Sequence, residues 1–203
     1  MKTTLALATA AVLAVPAHAQ SGPHKDAVAP SSPRALRQDG ITASNPTPEP
    51  LTRRQTTFDL LVHLPLRQAE ALFGPEGERP WAGPRWDPQF LYPQPGHDTE
   101  GAVFTVQHGH MNSVWVNTAF DLEGRRFQYV YFLPGILVTV IDVRFDPTSA
   151  DSTAVHVIYT RTAITAEGNQ HVDKMAAADS KAGPEWQQAI DSYLASPKPA
   201  ANP

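Results

Sequence analysis

The chain has 203 residues, 41% of them hydrophobic, and a formal net charge of -4 at pH 7, which allows one globular domain and little more. It contains no cysteine, so disulfides, thiol nucleophiles, iron–sulfur ligation and a lipid anchor on cysteine are all excluded. A mildly acidic balance with no basic cluster argues against nucleic acid as a partner.

The chain opens like a secretory signal peptide. Lys2 supplies a positive start, Leu5 to Val15 form an apolar run, and Ala17-His18-Ala19 is a small-x-small cleavage pattern. The run is short of the roughly 20 residues a membrane span requires. Cleavage after Ala19 and a periplasmic or secreted location are the expectation. From Gln20 to about Arg54 the composition is Pro, Ser, Ala, Thr and charge, so this stretch is expected to be a flexible tether, and the tail 197–203 reads the same way. Between them, residues 55–196 leave one domain of a size that buries about 70% of its unfolded surface.

The domain begins with "TTFDLLVHLPL", a strand ending before Pro65, followed by a short helix in "LRQAEALF" with Leu66, Ala69 and Phe73 at helical spacing. A stretch rich in Gly and Pro then runs to Asp98 and includes "GPEGERPWAGPRWDP". Pro80, Pro84 and Pro88 fix backbone angles there, and Trp81 and Trp86 offer large apolar faces, which reads as a rigid elbow and not a floppy lid. Five apolar runs follow: "AVFTVQH", "SVWVNTAFD", "RFQYVYFL", "ILVTVIDVRF" and "TAVHVIYTRTAI". The breaks between them are too short for parallel crossovers, so an antiparallel meander is expected. Asp142 and Arg144 mark the watered side of the fourth run, which turns Leu137, Thr139, Ile141, Val143 and Phe145 inward. In the second run, Trp115, Asn117 and Ala119 share one face and Val114, Val116, Thr118 and Phe120 the other, and the pattern leaves open which is interior. The chain ends in helix: Asn169 is a candidate cap, Gly183-Pro184 an interruption, and Trp186, Ile190 and Tyr193 or Leu194 an apolar stripe.

The element order, with "GERPW", "WDP", "GAVF", "WVNTAFD", "YVYFLPG" and "YTRTAIT", resembles the SRPBCC superfamily, the START-like and polyketide-cyclase-like proteins. The resemblance spans about Thr57 to Ala195. It implies an α+β helix-grip fold, in which a twisted six-to-seven-stranded antiparallel sheet wraps around a long C-terminal helix. Two small helices would form a cradle after the first strand. It also implies a small hydrophobic or amphipathic ligand held between sheet and helix, because the superfamily includes lipid carriers. Cyclases, hydrolase-like enzymes and chaperone-ATPase activators are members too, so the resemblance does not select an activity.

Within that frame the candidate ligand-binding residues are Arg79, Trp81, Trp86, Trp115, Asn117, Tyr129, Tyr131 and Tyr159. Arg79 is the first choice for an anion, although a solvated pair with Glu78 is the blander reading. The tyrosines can hydrogen-bond a buried polar group or serve as acids. Equally, they can cap a core. His156 and Asp59 can face either way. His108-Gly109-His110 offers two imidazoles but no third ligand, so surface turn histidines are expected and no metal. No G-x-S-x-G, P-loop, dinucleotide or H-E-x-x-H motif is present. A non-catalytic binding protein without a cofactor is therefore the leading expectation. A cyclase or dehydratase using Tyr and His, and a cell-envelope protein-interaction module, are its rivals.

Overall fold

The computed structural model describes residues 49–108 and 111–196. The expected signal peptide, most of the expected tether, the tail 197–203, and Gly109-His110 with the side chain of His108 lie outside the described residues. Seven strands form one antiparallel sheet: β1 (Arg53–Val62), β2 (Gln89–Tyr92), β3 (Val103–His108), β4 (Met111–Asp121), β5 (Arg126–Leu133), β6 (Leu137–Ser149) and β7 (Ser152–Ala163). Their spatial order is β1-β7-β6-β5-β4-β3-β2. Helix α1 (Leu66–Glu70) follows β1. Helix α2 (Ala166–Ala178), a 3-10 turn (Asp179–Lys181) and helix α3 (Ala182–Ala195) end the domain.

The five runs of the meander form in the expected order, but β4 starts at Met111 and β6 runs on through Asp146 to Ser149, so two of the turns are shorter than the turn residues suggest. β1 closes on the last of them, pairing with β7 from Arg53↔Thr162 to Val62↔Thr153. The strand thus starts two residues before the expected boundary at 55, and Asn169 ties down the residues ahead of it. Its Oδ1 accepts from Thr52 N at 2.7 Å and its Nδ2 donates to Pro50 O at 3.1 Å. That is a correction to its reading as a helix cap. The α2 cap is Thr165, whose Oγ1 accepts from Gly168 N at 3.1 Å. Gly168 itself sits under the β5–β6 turn, where a Cβ would meet Ile136 O at 2.1 Å. Only glycine permits that approach.

Alternation along β6 runs as its polar markers require, with Leu137, Thr139, Ile141, Val143 and Phe145 buried. On β4 the structure chooses the Trp115 and Asn117 face as interior. A register shift between Asn117 and Ala119 then reverses the alternation. Beyond it Phe120 stacks on Phe127 with centroids 4.0 Å apart. β2 is a strand that the Gly/Pro content of its surroundings conceals; it pairs Gln89 and Phe90 with Thr105 and Phe104 at the sheet edge.

The sheet closes around the terminal helices as expected, but the helical span is broken. α2 and α3 meet at the 3-10 turn, and Pro184 lies in the first turn of α3, where its missing N–H costs nothing. α3 docks through Trp186, which sits 5.3 Å from both Phe58 and Trp81, and through the fully buried Ile190. Gln187 adds a second anchor. Its amide accepts from Leu61 N and donates to Leu61 O, each at 2.9 Å, so it pairs with the free edge of β1 as a strand residue would. Of the two cradle helices implied by the resemblance, α1 forms with five residues; the segment after it is a succession of turns held by side chains.

Candidate functional site

The elbow explains how this interior is built. Trp81 Nε1 donates to Leu72 O at 2.6 Å and Trp86 Nε1 to Pro75 O at 3.0 Å, so both indoles are fixed from within the segment. Their rings face inward. Trp81 meets Phe73 and Trp186, while Trp86 stands edge-on to Trp115 at 5.3 Å and to Phe104 at 6.2 Å. Both therefore line the core through carbon and offer a guest no donor.

Arg79 requires a correction. Its Nε donates to Glu76 at 2.8 Å, its Nη1 to Asp87 at 2.7 Å and its Nη2 to Pro88 O. With its donors spent along the elbow, it staples the loop and is not free to hold an anion in the interior. Its sequence neighbour Glu78 points the other way and is buried. The contact to that carboxylate is Gly74 N, at a long 3.4 Å. Burial pushes the Glu78 carboxyl up to about 8, and the charge of nearby Asp98 pushes in the same direction while Gly74 N–H opposes. Asp98 accepts from Glu76 N at 2.8 Å and Gly77 N at 3.0 Å, and it fills the space a Cβ on Gly74 would need. Its own acid is also raised, first by burial.

The remaining candidates share the concave face of the sheet, in cross-strand rows. Register places Asn117 opposite Tyr129, Tyr129 opposite Ile141 and Ile141 opposite Tyr159. One step along, Phe104, Trp115, Tyr131, Thr139 and Arg161 form the next row. Trp115 stacks on Tyr131 with centroids 4.3 Å apart and donates from Nε1 to Ser113 Oγ at 2.7 Å. Asn117 Nδ2 donates to Thr99 O at 3.1 Å. Arg161, 2% exposed, pairs through Nη1 with Asp179 in the 3-10 turn, and its guanidinium carbon lies 4.3 Å from the centroid of the Tyr159 ring. Thr56 Oγ1 donates to the same Asp179 carboxylate at 2.5 Å. Burial raises the Asp179 acid despite the partly compensating charge of Arg161.

What distinguishes this interior from an ordinary core is its unmet polarity. Among the described residues, Asn117 Oδ1, Tyr129 Oη, Thr139 Oγ1 and Arg161 Nε are buried on this face without a hydrogen-bond partner; Glu70 Oε1, at the end of α1, is a fifth such atom. Native interiors leave few such groups, because each forfeits about 1–3 kcal/mol of solvation. Burial also raises all three interior phenols. For Tyr129 the charges of Glu78 and Asp98 add to it, and for Tyr131 Arg161 opposes it.

So of the residues singled out in the sequence, the structure gathers Trp115, Asn117, Tyr129, Tyr131 and Tyr159 on one face, adds Trp81 and Trp86 as apolar walls, and removes Arg79. Asp98, Arg161 and Asp179 are polar members that the sequence reading does not single out; Thr139 is expected inward without a role, and Glu78 enters only as the partner of Arg79. His156 and Asp59 are on the outside, with His156 Nδ1 2.7 Å from Asp59 Oδ1 and Nε2 3.5 Å from Asp146 Oδ2. Among the described residues no group of His, Cys, Asp and Glu is arranged to hold a metal ion, and no helix is long and apolar enough to cross a membrane.

A sheet clasping its terminal helices around an aromatic interior with polar groups defines a helix-grip protein. Solved structures share that architecture. Norcoclaurine synthase from Thalictrum flavum, in complex with dopamine and hydroxybenzaldehyde, is 13% identical over 73% of this chain and 91% of its own, with a TM-score of 0.54. Ara h 8.0201 is 10% identical over 71% of this chain and 100% of its own, with a TM-score of 0.53. XoxI from Bacillus cereus is 14% identical over 70% and 99%, with a TM-score of 0.51. These likenesses bear out the helix-grip fold that the resemblance to the SRPBCC superfamily implied. No family model and no curated protein matches the sequence.

Proposed function

We propose that this protein is an exported binder of a small hydrophobic or amphipathic molecule, held against the concave face of the sheet. One observation carries the reading: Asn117 Oδ1, Tyr129 Oη, Thr139 Oγ1 and Arg161 Nε are buried together without partners, among aromatic rings. Apolar walls with a few convergent polar groups are the usual form of a small-molecule site. A solved protein of the same fold, norcoclaurine synthase, holds two small aromatic molecules. The first nineteen residues support export. Native mass spectrometry of the protein purified from the periplasm tests the whole reading. The expected result is a mature chain beginning at Gln20 with a co-purified small molecule, or a thermal shift with members of a lipid and aromatic panel. A bare protein that no member stabilises would defeat it.

A second reading, proton-transfer catalysis of the cyclase or dehydratase kind, has one observation in its favour. Glu78 is held largely protonated at neutral pH beside the Tyr129 phenol, which suits a general acid. Turnover that survives Glu78→Gln and Tyr129→Phe would exclude it.

A further inference from the structure

We propose that Tyr131, Thr139 and Arg161 form the polar recognition point of this interior, and that they take the carbonyl oxygen of an uncharged aromatic ketone or ester. The inference rests on the ligand-binding reading above and specifies its chemistry.

These residues sit directly opposite one another on β5, β6 and β7, Tyr131↔Thr139 and Thr139↔Arg161, so their side chains are immediate neighbours on one face. Arg161 is committed on one side only. Asp179 takes Nη1, the Tyr159 ring covers the guanidinium, and Nε remains a donor with no acceptor. Beside it, Thr139 Oγ1 is buried and unmet as well. The Tyr131 hydroxyl lies close to both and draws on each, which opposes the rise of its acid from burial, but neither Thr139 Oγ1 nor Arg161 Nε has a well-formed hydrogen bond. A single oxygen with two lone pairs would accept from Arg161 Nε and from the Thr139 hydroxyl together.

Charge selects among the oxygens that could do so. Asp179 already balances Arg161 in a buried setting, so a carboxylate would add an uncompensated anion beside that carboxylate. A cation offers no acceptor at all. An uncharged carbonyl meets both requirements. The rest of the molecule is set by the walls of the row. Phe104, Trp115 and Tyr131 stand in mutual stacking on one side, with centroid spacings of 5.7 and 4.3 Å, and Tyr159 stands on the other. Flat rings suit a flat apolar body.

The test uses two probes of the same shape, 2-acetonaphthone and 2-ethylnaphthalene, titrated into the full-length mature protein by calorimetry. The wild type is expected to bind the ketone at least about tenfold tighter, the usual worth of a hydrogen bond to a charged donor. Arg161→Lys keeps a cation for Asp179 but has no Nε donor. Thr139→Val removes the hydroxyl at nearly constant volume. A collapse of the preference below about threefold in either variant, with the hydrocarbon's affinity unchanged, supports the row; the unchanged hydrocarbon also shows that the variant is folded. A wild-type preference below threefold, or one that survives both substitutions, overturns the inference and leaves the binding reading standing. If neither probe binds the wild type, the inference is overturned, and the ligand panel described above decides separately whether the binding reading falls too.

Discussion

Replacing Glu78 by Gln exposes the cost of holding a carboxyl group in this interior. In the unfolded chain the acid ionises at its ordinary value of 4.5, whereas in the fold it keeps its proton up to about 8. Between those two values the native state binds more protons than the unfolded state, so stability falls as pH rises. The slope from this group approaches about 1.36 kcal/mol per pH unit, and across the 3.5 units separating 4.5 from 8 it accumulates to about 5 kcal/mol. Most of that, roughly 3 kcal/mol, is in force by pH 7. The glutamine amide cannot ionise and has nearly the same shape as the carboxyl it replaces. Urea unfolding followed by tryptophan fluorescence, at intervals from pH 5 to pH 9, gives the difference between variant and wild type directly. Carboxylates that do not interact with Glu78 cancel in that difference, including Asp142, which Arg126, Arg144 and Gln128 hold below its ordinary value. The variant is expected to lie within about 1 kcal/mol of the wild type near pH 5 and to exceed it increasingly, by about 4–5 kcal/mol at pH 9. A difference that stays flat across the range, or one that shrinks as pH rises, would refute the placement of Glu78 as a buried neutral acid.

Gly168→Ala is expected to destabilise by at least about 1–3 kcal/mol in urea, because its Cβ would meet the Ile136 carbonyl oxygen at 2.1 Å and a backbone atom cannot rotate away; an unchanged midpoint would contradict that approach. Asp179→Asn leaves Arg161 buried without its counter-ion, for an expected loss of about 3–5 kcal/mol, and a calorimetric Tm within a degree of the wild type would show that the pair is dispensable. Tyr129→Phe deletes a hydroxyl that has no partner in the free protein, so stability is expected to hold or rise by up to about 1 kcal/mol. A loss above that would mean the hydroxyl is bonded within the free fold.

The legible parts of this fold were those where polar and apolar residues alternate cleanly. Asp142 and Arg144 sit between Ile141, Val143 and Phe145, and that interleaving alone assigned the faces of β6. β4 resisted the same treatment because both of its faces are apolar, with Trp115 against Val114 and Val116, and because the register shift after Asn117 changes which parity points inward. β2 was hidden for a different reason. Its pairing partner Phe104 lies across an irregular stretch of Gly and Pro, so the long-range contact that makes it a strand leaves no local trace. The aromatic half of the site could be read because Tyr129 and Tyr131 share a face of β5 with Phe127, at every second position. Arg161 did carry a signal: it has the parity of Val155, Val157 and Tyr159 on β7, all buried. An inward arginine needs a counter-ion, and Asp179 supplies it from the turn between α2 and α3, a contact the β7 pattern alone does not reveal. Glu78 carried none. In a loop, adjacent residues have no fixed relation, and only the folded elbow shows Arg79 turning outward as Glu78 turns in.

The most direct measurement of interior binding is the indole N–H spectrum of the protein during titration with 2-acetonaphthone. The four tryptophans give four resolved probes, at Trp81, Trp86, Trp115 and Trp186. Saturable shifts are expected at Trp115, joined by the backbone amides of Asn117, Tyr129, Tyr131, Thr139 and Arg161. Shifts confined to exposed residues such as Leu91, Tyr92 and Phe132, with Trp115 unmoved at saturation, would contradict a guest in the grip of the sheet.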